Sequence, residues 1–241
     1  MVTVVYIHGN GESSKSFDFL RSHIRGHREI MVNYDSKNGF DTNLAEMKAA
    51  LGKHKNLFFV AHSLGGIYSL HLAEILKSRV VGAVTLSTPY AGCEAAEFLQ
   101  YLYPESQLMR DIRPTSPPIM DSLLMNVSVP WTAIVSTGGY KPVMVAANDG
   151  IVTQVSMCAR VDMRHVFVSN DHFDILLSKE VADMIQVAVD EAKMFATIKT
   201  ATNQGRGFSV ISVVEGTIAN VPDVDGYLGQ RSRASLSALA H

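Results

Sequence analysis

The sequence predicts a three-layer α/β domain built on a parallel sheet of about six strands. Three observations predict it. Six short, nearly continuous apolar runs are each bounded by turn residues, the pattern of strands buried on both faces. Helical stretches alternate with those runs, which implies right-handed crossovers. The chain has 241 residues, 47% of them hydrophobic and 18% charged, enough for one large well-cored domain or two small ones. That composition excludes intrinsic disorder for most of the chain.

The runs fall in order at residues 2–7, 29–34, 56–61, 80–86, 131–135 and 165–168. The first ends in the turn cluster His8-Gly9-Asn10-Gly11. Helical spacing marks residues 44–51, with Asp41 or Thr42 as the N-cap. Residues 64–76 are apolar on several faces, as a buried helix is, and 181–195 form a long amphipathic stretch. Two regions break the alternation. Residues 91–129 hold no convincing strand and are interrupted by Pro104, Pro114, Pro117 and Pro118, so they read as two or three short helices inserted above the sheet. From about residue 198 the chain continues as a tail with a β-like patch at 208–214 and a polar end carrying Arg231 and Arg233. The domain expectation is thus 1–197 with an insertion at about 91–129, followed by an extension at 198–241 of unassigned role.

Net charge is −2, so no global basic field attracts nucleic acid or anionic membrane. Two cysteines, Cys93 and Cys158, are too few for a disulfide scaffold, and the sequence leaves open whether they pair. No apolar run reaches the roughly 20 residues that span a bilayer. Charged and turn residues already at Gly9-Asn10-Gly11-Glu12 argue against a signal peptide, so a cytoplasmic protein is expected, with a trimmed secreted form as the alternative.

The strongest local signal is Ala61-His62-Ser63-Leu64-Gly65-Gly66, set between a predicted strand and a predicted helix. A serine on a strained strand-to-helix turn brings neighbouring backbones together, so small residues are needed at minus two and plus two. The turn exposes the hydroxyl and points the Leu64 N–H and the helix N-terminus at the same spot, where an oxyanion is held. The plain alternative is an N-cap serine. A serine nucleophile needs a histidine held by a carboxylate, and for this turn the order is serine, acid, histidine. Asp149 follows an apolar approach at 143–147 and opens an Asp-Gly turn. His172 follows the last predicted strand. Asp171 and Asp174 flank His172 and are rival acids, but sequence neighbours usually point away from the imidazole. His165 reads as a strand residue, and His62 as pointing into the structure.

With these residues in place, the chain resembles α/β-hydrolase fold lipases and esterases. The likeness is especially to small bacterial triacylglycerol lipases that lack the first strands of the full fold. Tyr6-Ile7-His8-Gly9-Asn10-Gly11, the segment around Ser63, Thr85-Leu86-Ser87-Thr88-Pro89-Tyr90, and the Asp149 and His172 turns carry the resemblance, in the family's order. Alanine at 61 replaces the usual glycine, as in Bacillus-type lipases. The resemblance implies that the residue after His-Gly, Asn10, supplies a second oxyanion N–H beside Leu64. Those lipases usually carry an apolar residue there, and Asn10 departs from that. The segment after Ser87-Thr88-Pro89-Tyr90 usually leads into a lid, and residues 108–118 look like cap sequence. The tail carries none of the family's motifs.

The expected function is hydrolysis of carboxylic esters through an acyl-enzyme on Ser63, with His172 as base, Asp149 as its orienting acid, and Asn10 and Leu64 as oxyanion donors. A small-molecule or lipid ester is the expected substrate, with no metal or organic cofactor. Thioester, amide and acyl-transfer chemistry share the same intermediate and remain alternatives. So does a non-catalytic binding module that self-associates or docks through the tail. The insertion is expected to roof an acyl pocket. Phe98, Leu99 and Leu102 would do so from its first part, Leu108, Met109 and Ile112 from its middle, and Ile119, Leu123 and Leu124 from its last part.

Overall fold

Six parallel strands form one sheet: β1 (Thr3–Ile7), β2 (Arg28–Val32), β3 (Leu57–His62), β4 (Val80–Leu86), β5 (Trp131–Ser136) and β6 (Arg164–Val168), in the order β2-β1-β3-β4-β5-β6. The structure is a computed structural model and describes residues 1–139, 144 and 146–203. The helices are α1 (Asp18–His23), α2 (Phe40–Leu51), α3 (Leu64–Leu76), α4 (Glu94–Leu102), α5 (Gln107–Asp111), α6 (Pro117–Leu124), α7 (Gln154–Met157) and α8 (Lys179–Asn203).

Alternate strand residues enter opposite faces. Val5, Ile7, Leu57, Phe59 and Ala61 enter one hydrophobic cluster, with Met47 and Leu51 of α2 and Ile67 and Leu70 of α3. Val4, Tyr6, Phe58 and Val60 enter the other, with Leu20 of α1 and Val181, Ile185 and Val189 of α8. All residues of β1, β3 and β4 are buried, so both faces of the central strands are covered. That double burial is why these strands read as continuous apolar runs rather than alternating ones. The chain therefore has three layers, helix, sheet and helix, and residues 1–197 form one compact unit.

Several boundaries differ from expectation. The second strand ends at Val32, and Tyr34 beyond it turns its hydroxyl to donate to the His8 carbonyl. The helix expected from residue 44 begins at Phe40, and neither Asp41 nor Thr42 caps it. Its N-cap is Gly39, at φ 85°, a conformation that disfavours any side chain. The Phe40 N–H instead donates to the Asp111 carboxylate, 3.0 Å away on α5. Residues 14–23, read from sequence only as following a turn cluster, form a 3-10 turn and α1, which bury Phe17 and Leu20. The last helix is longer than expected at both ends, and the patch at 208–214 lies outside the described residues. Between β4 and β5 stand three short helices, α4 to α6. No described helix is long and apolar enough to cross a membrane.

Candidate active site

The strand register aligns the carboxyl ends of the central strands. Ile7 pairs with Ala61, His62 with Leu86, Leu86 with Ile134, and Ser136 with Val168. Loops leaving these ends gather over one edge of the sheet, where open α/β sheets bind ligands.

Ser63 joins β3 to α3 at φ 51° and ψ −122°, a strained conformation for a non-glycine residue. Two backbone bonds hold it there: the Ser63 N–H donates to Leu86 O at 2.9 Å, and the Gly66 N–H donates to Ser63 O at 2.9 Å. The small residues after it are required by close approach. A Cβ at Gly65 would overlap the Ile7 and His8 carbonyls, and one at Gly66 would overlap the Thr88 side chain. Leu64 is the first residue of α3, so its N–H has no intrahelical acceptor.

The structure brings Ser63, Asp149 and His172 together. The His172 ring presents Nε2 to the Ser63 hydroxyl at 3.1 Å and Nδ1 to the Asp149 carboxylate at 2.8 Å. The carboxylate only accepts, so Nδ1 carries the proton and Nε2 offers a lone pair to the serine hydroxyl. The His172 backbone N–H also donates to the Asp149 carbonyl, 3.1 Å. Both residues are almost fully buried.

Asp149 is saturated with donors. Its Oδ1 accepts from the Ile151 and Val152 N–H groups at 3.0 and 2.7 Å, and its Oδ2 accepts from the Ser136 hydroxyl as well as from His172. Burial pushes the carboxyl up, but the His172 hydrogen bond and charge, with the bonds from Ser136 and Val152, outweigh it and hold Asp149 below the usual carboxylate range. Ser87 extends this chain with a 2.7 Å hydroxyl contact to Ser136. Sequence reasoning missed both serines. Each stands at the carboxyl end of a strand in a polar break after an apolar run, the one signal that marks them.

Asp149 does not directly follow a strand. Of the approach expected at 143–147, Met144, Ala146 and Ala147 are not in a strand, and Val143 and Val145 lie outside the described residues. The turn is instead closed by an isolated bridge between Asn148 and Thr153. The rival Asp171 accepts from the Phe173 and Asp174 N–H groups at 2.8 and 2.7 Å, and Asp174 opens a 3-10 turn. His165 lies within β6.

A cavity of about 190 Å³ opens beside the Ser63 hydroxyl. Asn10, Glu12, Ser63 and His172 give it polar groups, while Leu108, Ile112, Ile151, Val152 and Phe173 give it apolar walls. Of the nine insertion residues expected to roof it, Leu108 and Ile112 line it. Ile119 packs into the core beside α3, Leu102, Leu123 and Leu124 are exposed, and the Phe98 side chain lies outside the described residues. Leu99 and Met109 are half-buried, so among the described residues of these nine the lining comes from α5 and its C-cap. Cys93 lines the cavity, and both it and Cys158 are free thiols. A larger groove of about 520 Å³ between β6 and α8 holds no hydroxyl–imidazole pair, so chemistry rather than size locates the site.

No protein-family model matches the chain, and no curated protein matches it by sequence. Solved structures do match. A metagenomic carboxyl esterase, MGS0156, is similar at a TM-score of 0.60 and 16% identity, over 83% of this chain and 76% of that one. An extracellular alpha/beta-hydrolase from a Paenibacillus species is similar at 0.54 and 16%, over 78% and 99%. The haloalkane dehalogenase DpaA from Paraglaciecola agarilytica NO2 is similar at 0.58 and 12%, over 76% and 82%. At such identities the likeness is one of fold, and the chain has the three-layer α/β-hydrolase fold.

Proposed function

We propose that the chain is a serine hydrolase that cleaves carboxylic esters through an acyl-enzyme on Ser63. The observation that carries this reading is the His172 imidazole held between the Ser63 hydroxyl at 3.1 Å and the Asp149 carboxylate at 2.8 Å. In this reading Ser63 Oγ attacks the ester carbonyl as His172 Nε2 takes its proton. The Leu64 and Asn10 N–H groups, with the N-terminus of α3 behind them, stabilise the oxyanion. His172 then gives the proton to the leaving alcohol, and water, activated by the same nitrogen, releases the acid. Asp149 fixes the ring's tautomer and stabilises the imidazolium formed in each half-reaction.

The cavity supports a compact acyl group over a long chain. Its volume of about 190 Å³ lies below the roughly 300–1,000 Å³ of pockets for drug-sized ligands. The segment carrying α4 to α6 is a cap whose Leu108 and Ile112 form one acyl wall. Esters and thioesters are both accessible to this geometry, and transfer to an alcohol in place of water differs only in the product released.

The test is hydrolysis of p-nitrophenyl esters of increasing acyl length by the wild type and by Ser63→Ala. Turnover highest on short chains and at least about 10³-fold lower in Ser63→Ala is expected. Turnover that survives the substitution rejects Ser63 as the nucleophile.

A further inference from the structure

His62 is fully buried beside the proposed nucleophile, yet both of its ring nitrogens are engaged. Nε2 donates to the His172 carbonyl at 2.8 Å. Nδ1 faces the Glu12 carboxylate, 3.1 Å from Oε1 and 3.2 Å from Oε2. That Oε2 also accepts from the Gly9 N–H at 3.2 Å. Three segments far apart in sequence therefore meet on one pair of side chains. They are the turn after β1, the turn that holds Ser63, and the loop that carries His172.

The protons can be counted. A carbonyl has none to give, so Nε2 carries one. A carboxylate at Nδ1 requires a second proton, on the ring or on the acid. Burial pushes the Glu12 carboxyl up, but the hydrogen bond and charge of His62, with bonds from Gly9 and Ser16, outweigh it and hold Glu12 below the usual carboxylate range. The geometry therefore calls for one proton shared between the ring and the acid, beyond the one on Nε2.

We propose that Glu12 and His62 are positioning residues, a hydrogen-bonded pair that ties the Gly9–Asn10 turn to the backbone of His172 and holds oxyanion donor and general base in register with Ser63. This rests on the role given to Ser63, His172 and Asp149 above. Neither side chain hydrogen-bonds the Ser63 hydroxyl or the His172 ring, although Glu12 also lines the cavity. Its effect passes through the Gly9 amide on one side and the His172 carbonyl on the other.

Removal of the shared proton would set a carboxylate against a ring lone pair about 3 Å away and loosen the link. Other groups act on the pair. His8, at the end of β1, interacts electrostatically with both members, and burial pushes its own pKa down. The Tyr34 hydroxyl interacts with Glu12, and burial pushes that hydroxyl far up. The His172 ring lies 4.8 Å from the His62 ring, with Asp149 on its far side.

Replacement of Glu12 separates these contributions. In Glu12→Gln the amide nitrogen, in place of Oε1, donates to Nδ1 of a neutral ring, and the amide oxygen keeps the Gly9 N–H. All the bonds survive without the extra proton. Glu12→Ala leaves both Nδ1 and Gly9 unpaired. The expected result on a short p-nitrophenyl ester is a loss of about 10- to 100-fold in kcat for Glu12→Ala, the equivalent of leaving one or two buried groups unpaired, with KM little changed. Glu12→Gln, which keeps these bonds, restores most of that loss. A readout independent of turnover is nitrogen-15 NMR of the histidine rings at neutral pH. A proton on Nε2 of His62, held in its hydrogen bond to the His172 carbonyl, is expected in the wild type and in Glu12→Gln, with faster exchange in Glu12→Ala. An unprotonated Nε2 on wild-type His62, or unchanged kcat in folded Glu12→Ala, overturns the proposal. A Ser63→Ala variant that still hydrolyses esters overturns the reading of the site instead, and leaves the ring-proton result standing.

Discussion

At the scale of single residues, the arrangement separates Asp149 from its rival Asp171. Asp149 presents Oδ2 to the His172 ring, whereas Asp171 accepts from two amides of its own turn. Asparagine at 149 reverses the donor and acceptor roles at Nδ1, so the ring no longer offers a lone pair to Ser63. Asp149→Asn is therefore expected to lower kcat by about 10⁴-fold, the magnitude measured for the same change in the chymotrypsin-type triad. Asp171→Asn keeps an acceptor for the turn, and its kcat is expected to stay within a few-fold of wild type. Steady-state kinetics on one ester checks both, and a larger loss at 171 than at 149 would reverse the assignment. Asp149, held below the usual range, contributes stability that is complete above about pH 4 and is lost as pH falls through its folded value.

Among the elements, a buried imidazole links α3 to α6 beside the apolar contact of Ile119. His71 Nε2 donates to the Pro118 carbonyl at 2.9 Å and stacks edge-on against Phe40, 4.8 Å between ring centres. Burial holds its pKa below the ordinary histidine value, against the opposing pull of the Pro118 carbonyl. Folding therefore excludes a proton that the unfolded chain takes up below about pH 6.5. The contribution of His71 is complete above that pH and is lost as pH falls through the lower folded value. Tm is expected to drop below pH 6.5, and to drop less steeply in His71→Gln, as read by circular dichroism. An equal slope in the two proteins would assign the acid sensitivity to other groups, His8 among them.

Elements governed by a local pattern were legible in the sequence. β4 and α3 have the predicted bounds, because an unbroken apolar run and a dense helical face each end at turn residues. The start of α2 was not legible, because the partner of its first amide, Asp111, lies 71 residues away. The spacing of Phe17, Leu20 and Ile24 does mark α1, but the turn cluster before it hides the signal. At the site, the Ser63, Asp149 and His172 positions follow from turn chemistry. The Ser136 bond to Asp149 and the Glu12 contact with His62 have no periodic trace, since each joins side chains that only the sheet brings together.

For the whole molecule, stability rests on a sheet covered on both faces, so the two helical layers are not interchangeable supports. Phe59, on β3, is fully buried in the cluster beneath α2 and α3. Its alternate neighbour Phe58 is buried against the layer of α1 and α8. Phe59→Ala is expected to cost about 3–5 kcal/mol, measured by urea unfolding, because close packing leaves little room to collapse around the void. A loss below about 1 kcal/mol would mean that the neighbouring layer relaxes into the space.

The strand order carries a consequence for synthesis. After β1 and β2 pair, β3 joins the open side of β1, and β4, β5 and β6 each add outside the one before. No later strand has to be threaded between two that are already joined. The ribosome therefore delivers the strands in the sequence in which the growing edge receives them. The loop bearing His172 follows the outermost strand, so the nascent protein passes through most of its assembly with Ser63 in place and no imidazole beside it.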